Sequence, residues 1–162
     1  MPMPSHIEAA IRGFHDIFLN GIPILLRQNE TAFLSFICSL AAIDALSGYR
    51  YETDKVGVRF PDFIKEYFPS SYAPHAHNLY LLRCRMLHNF SPAYFTVSHA
   101  NAAGHLGKGA LNEMVLSDDV FFADLREAAA RFFAEVQSDS VRQDAMNRRL
   151  LDVEKGGAIY YE

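Results

Sequence analysis

The 162-residue chain is half hydrophobic, carries a formal net charge of -4 and contains two cysteines. That length and apolar content suit one domain with a proper core, and the negative balance argues against a nucleic-acid coat over the whole surface while leaving room for a local basic site. Cys38 and Cys84 form no disulfide framework and read as thiols of a reducing cytoplasm, and Met1-Pro2-Met3-Pro4-Ser5-His6 lacks the basic region and apolar run of a signal peptide.

In chain order, Ser5 followed by Glu8 is a capping-box signature, and Ile7, Ile11, Phe14 and Phe18 recur at helical spacing. Gly21 and Pro23 interrupt this helix, and Ile24 to Gln28 add a short turn. A second helix is expected from about Glu30 to Ser47, with the stripe Phe33, Phe36, Ile37, Leu40 and a stop at Gly48. Its apolar run, Phe33 to Leu46, is broken by Ser35, Ser39 and Asp44 and reads as too short and too polar to span a bilayer. Arg50 to Val58 reads as an exposed polar loop. Pro61 opens a short third helix, Asp62 to Phe68, and Pro74 opens a fourth with the stripe Leu79, Leu82, Met86. Asn89 and Pro92 then stop the helix. Tyr94 to Ser98 is expected to pair with Asn112 to Leu116 as a small hairpin or extended flap across a turn holding Gly104, Gly107 and Gly109. Ser117, Asp118 and Asp119 cap a long helix from Val120 to about Gln137. A charged last helix runs from about Val141 to Val153, and residues 156–162 read as a tail. The expected architecture is a single all-α domain over 1–162, an up-and-down helical bundle with an irregular or β-hairpin insert over about 93–116, between the fourth and fifth helices.

Chemistry concentrates in Leu81-Leu82-Arg83-Cys84-Arg85-Met86-Leu87-His88-Asn89. An arginine holds a phosphate with a fixed fork of donors, and a histidine moves protons near neutral pH. Five residues of helix separate directions by roughly 140°, so Arg83 and His88 border one cleft only if another helix covers it. Cys84 and Arg85 share the side of the helix that carries His88. Basic residues also collect in the last turn of ordinary helices, where they meet unpaired carbonyls. Asp44 falls on the stripe of Phe33, Ile37 and Leu40 and should point inward, where a carboxylate needs a partner. Arg83 or Arg85 is the candidate, the alternative being that Asp44 caps a loop amide near Gly48. Tyr80 and Tyr94 are placed to stack on bases as substrate-binding residues. His75, His77, Cys84, His88, His99 and His105 raise a zinc alternative, with Cys84, His88 and either His99 or His105 as ligands. That spacing is no zinc signature, and neither a metal nor a cofactor is assigned.

An arginine, four residues and then a histidine at a helix end, preceded by an acid-bearing helix (Ala42-Ile43-Asp44-Ala45-Leu46), resembles the HEPN superfamily in layout over most of the chain. It looks closest to prokaryotic members that carry Leu-Arg-Cys before the histidine. The resemblance implies a HEPN-like bundle and a homodimer in which two arginine-histidine motifs meet across the interface. Active members are metal-independent ribonucleases. On this sequence, His88 would act as general base on a ribose 2′-hydroxyl or general acid to the leaving oxygen. Arg83 would steady the charge on the phosphate and Asp44 would orient Arg83, with Cys84, Arg85 and Asn89 in support. Cys84 departs from the polar residue that usually follows the arginine in active members. A toxin or defence role, with an antitoxin protein as partner, goes with this reading. The alternative implied by inactive members is a non-catalytic dimeric module that binds a nucleotide, RNA or protein.

Overall fold

The helices are laid around one long central helix, Ala32–Arg50. The computed structural model describes residues 3–92 and 94–154, so the expected tail, 156–162, lies outside the described residues. In order, the chain forms α1 (Ser5–Phe14), a widened π turn (His15–Leu19), α2 (Ile22–Leu25), α3 (Ala32–Arg50), α4 (Val56–Tyr67) and α5 (Ala76–Asn89). There follow β1 (Phe95–Ser98), β2 (Met114–Ser117), α6 (Asp118–Ser138) and α7 (Ser140–Glu154). The fold is mostly helical with one small two-stranded sheet.

The aromatic residues of α6 organise the core. Phe121 packs on Phe36 of α3 with ring centroids 5.9 Å apart, Phe132 on Phe63 and Tyr67 of α4 at 6.0 and 5.7 Å, and Phe133 on Phe14 of α1 at 5.3 Å. Such ring pairs contribute about 0.5–1.5 kcal/mol each beyond the area they bury. The helical run Asn29–Arg50 is long and apolar enough, by length and composition, to cross a membrane, which corrects the expectation that it falls short. In this fold half of that apolar window is buried, with Phe36, Leu40, Ile43 and Leu46 in the core.

Several boundaries differ from those expected, each for a local reason. Ser5 lies inside α1 rather than capping it. No side chain caps this helix, and the Pro4 carbonyl accepts the N–H groups of Ile7 and Glu8. Gly48 does not stop α3, which continues to Arg50. The polar loop is shorter than expected, because α4 begins at Val56 and carries Pro61 in its interior. The turn before Pro61 is closed by the Lys55 carbonyl, which accepts from Val58 and Arg59, so the N–H that proline lacks is missed only at one carbonyl. Pro74 sits in a 3₁₀ turn, Ser70–His75, and α5 starts after it. Carboxylates, not the Ser117 hydroxyl, cap α6: Asp118 accepts from the Asp119 N–H and Asp119 from that of Val120.

The expected hairpin is corrected to a parallel pair, with Phe95 opposite Met114 and Ser98 opposite Ser117. A two-residue turn joins only antiparallel strands. Here the whole segment 99–113 brings the chain back to start β2 beside the beginning of β1.

Candidate functional site

Helices α3, α4 and α5 each contribute one charged side chain to a shared cluster. Asp44 of α3 accepts a hydrogen bond from the Arg59 guanidinium of α4 at 2.7 Å through Oδ1, and one from Arg83 of α5 through Oδ2. The three side chains are only 16%, 11% and 22% exposed. Gly48, one turn beyond Asp44, makes room: a Cβ there would collide with the Arg59 guanidinium. One carboxylate between two guanidiniums leaves a positive charge unbalanced. Burial lowers the Arg59 pKa, and the Asp44 charge opposes that shift. The Nε atoms of both arginines are buried without a hydrogen-bond partner among the described residues. The cluster faces a pocket of about 390 Å³ that Tyr49, Leu87 and Arg149 also line, and Arg149 is itself tied to Asp54 at 2.6 Å.

The structure thus brings Arg83 to Asp44 and leaves Arg85 outside. Arg85 is exposed, its guanidinium 5.6 Å from the centre of the Tyr94 ring. Asp44 is taken up by the two arginines. Arg59 is the residue that sequence reading missed. Its signal was present, an inward acid with a glycine one turn later, which marks a gap for a long cationic side chain. The expectation of a loop through Val58 hid it.

His88 stands elsewhere. It is exposed, and the pocket beside Arg83 is lined by Leu87 instead. Within one chain Arg83 and His88 do not converge, as five-residue spacing requires. Asn89 is exposed as the last residue of α5. Cys84 is a half-buried free thiol, and its proximity to the Tyr80 hydroxyl raises the tyrosine pKa. Tyr80 packs across Gly57 and 6.3 Å from Phe60, against α4, whereas Tyr94 is 55% exposed. The two expected base-stacking tyrosines therefore serve different neighbourhoods.

Phe90 closes α5 in the left-handed conformation, φ 50° and ψ 37°, with its N–H on the Arg85 carbonyl. Glycine is the usual residue at such a cap, and a Cβ there costs roughly 1–2 kcal/mol. From Tyr67 to Asn112 the chain contains no aspartate or glutamate, yet it carries Arg83, Arg85, Lys108 and the histidines 75, 77, 88, 99 and 105. In a chain of net charge -4 this is a pronounced segregation of charge.

The segment between the strands is pinned by a second polar centre. His105 Nδ1 accepts the Ser117 N–H at 3.0 Å, which places the proton of the neutral ring on Nε2, 2.7 Å from the Tyr72 hydroxyl. Tyr72 in turn donates to Asp124 of α6 at 2.5 Å. Burial lowers the His105 pKa and raises that of Asp124. His99 meets the buried Asp118 at 2.8 Å. The zinc set considered from sequence does not assemble: among the described residues no three His, Cys, Asp or Glu side chains are grouped to hold a metal.

The chain matches no protein-family model, no curated protein and no solved structure.

Proposed function

We propose that the chain is a HEPN-like, metal-independent RNA endonuclease that acts as a homodimer. The observation that carries this reading is the anchoring of Arg83 by a half-buried acid from the long helix α3, with a solvent-exposed histidine at the end of the helix that carries Arg83. In the proposed reaction one His88 takes the proton of a ribose 2′-hydroxyl. The 2′-oxygen attacks the adjacent phosphorus, the bond to the 5′-oxygen breaks, and the second copy's histidine returns a proton to that leaving oxygen. The products are a 2′,3′-cyclic phosphate and a 5′-hydroxyl. Arg83 stabilises the charge that builds on the phosphate, and Asp44 with Arg59 sets the direction of its guanidinium. Two copies are needed because one chain holds Arg83 and His88 on different faces.

That same divergence favours a second reading, a dimeric module that binds RNA or a nucleotide without cutting it. Cleavage of single-stranded RNA in the presence of a chelator separates the two, with His88→Ala and Arg83→Ala as comparisons. Cleavage by the wild type that both variants lose supports the endonuclease. Binding without cleavage supports the module, and equal cleavage by folded variants removes these residues from the chemistry.

A further inference from the structure

We infer that Phe90 is a stacking platform for a base of single-stranded RNA beside His88, a proposal that rests on the RNA reading above. Folding gives little reason for a phenylalanine here. Its backbone is in a conformation that glycine adopts freely, and its ring is 73% exposed, so burial recovers little of the strain. Leu106 shows the contrast: it is also left-handed, with φ 58°, but packs against the core. A strained residue held without a packing return is characteristic of a functional position.

The surroundings name the ligand. Phe90 follows His88 and Asn89, both exposed, and lies within the stretch that carries no carboxylate. Further along the chain Tyr94, under the Arg85 guanidinium, lines an open cleft of about 420 Å³ with His75, Asn78, Lys108 and Asn112, a cleft that Phe90 itself does not line. Glu113 is the carboxylate at that cleft, and Thr96 and the Leu111 N–H already hold it. Aromatic rings interleaved with cations and amide groups suit a single strand, whose bases stack and whose phosphates need positive charge.

The test uses the full chain and a fluorescent single-stranded 2′-O-methyl oligonucleotide, which 2′-attack cannot cleave, beside an abasic strand of the same length. Phe90→Gly should melt at the same or a higher temperature, because it relieves the backbone. It should bind the base-bearing strand about five- to hundred-fold more weakly and the abasic strand as the wild type does. Phe90→Tyr should restore binding. Unchanged binding by Phe90→Gly overturns the proposal and leaves the RNA reading standing, while a lower melting temperature makes Phe90 a structural cap. Loss of a wild-type dimer in the glycine variant assigns the ring to the subunit interface instead. Failure of the wild type to bind either strand removes the RNA reading itself.

Discussion

Arg83 and His88 share one helix and live in opposite surroundings. Arg83 is enclosed by α3 and α4 and tied to an acid that also holds Arg59, so its position is set by the bundle. His88 and Phe90 stand exposed to solvent at the helix end. The first region is made to hold still and the second to meet something. On the proposed reading, a phosphate-stabilising group needs orientation and a proton-transferring group needs access, and one helix would supply both by changing environment within two turns.

The largest expected effect tests the open end. His88→Ala should lower RNA cleavage by about 10²–10⁴-fold while changing stability by less than about 0.5 kcal/mol, read from parallel cleavage assays and urea melts. A marked loss of stability would erase the contrast, since His88 would then belong to the fold. The complementary change is Asp44→Ala, which strands two part-buried guanidiniums. Urea denaturation should show a loss of about 3 kcal/mol, and a loss below about 1 kcal/mol would mean the cluster behaves like a surface ion pair. Tyr72→Phe removes the hydroxyl between His105 and Asp124 and should cost about 1–3 kcal/mol by the same measurement, with RNA binding at Phe90 unchanged if the two ends of α5 are independent.

The smallest effect is one of pH. The folded pKa of His105 lies below the ordinary 6.5, so the native state binds fewer protons than the unfolded chain. Its contribution is present above pH 6.5 and is lost as pH falls from there toward the lowered value. Asp124, raised by burial, has the opposite sign and acts in the carboxylate range. Melting temperatures taken between about pH 7.5 and 5 should fall in the wild type and fall less in His105→Gln. Parallel curves would mean that the Tyr72–His105–Asp124 centre carries no proton linkage.

The stripes of α3, α5 and α6 were legible because helical periodicity is local, and Asp44 was legible as an acid on an apolar face. Arg59 was not, because its place depends on where α4 begins, and that is decided by the Lys55 carbonyl and by contacts with α3 rather than by Pro61. The strand segments were visible as β-prone runs. Their direction was not, since nothing within either run distinguishes a neighbour reached by a tight turn from one reached by a long return. The left-handed turn at Phe90 was invisible because it is a backbone angle that the residue type does not announce.

The parallel pairing of β1 and β2 has a practical consequence for anyone who would re-engineer this chain. Segment 99–113 is a crossing, not a hairpin tip, and it must travel the length of the pair before β2 can start. Lengthening it adds only about 0.6 kcal/mol of closure entropy per doubling, so inserted tags or reporter peptides near its exposed residues 101–103 should be accommodated. Trimming it to a short linker cannot be, because the strands would have to reverse their relative direction, and Ser117, which leads directly into Asp118, would drag the start of α6 with it. The segment is elastic in one sense only.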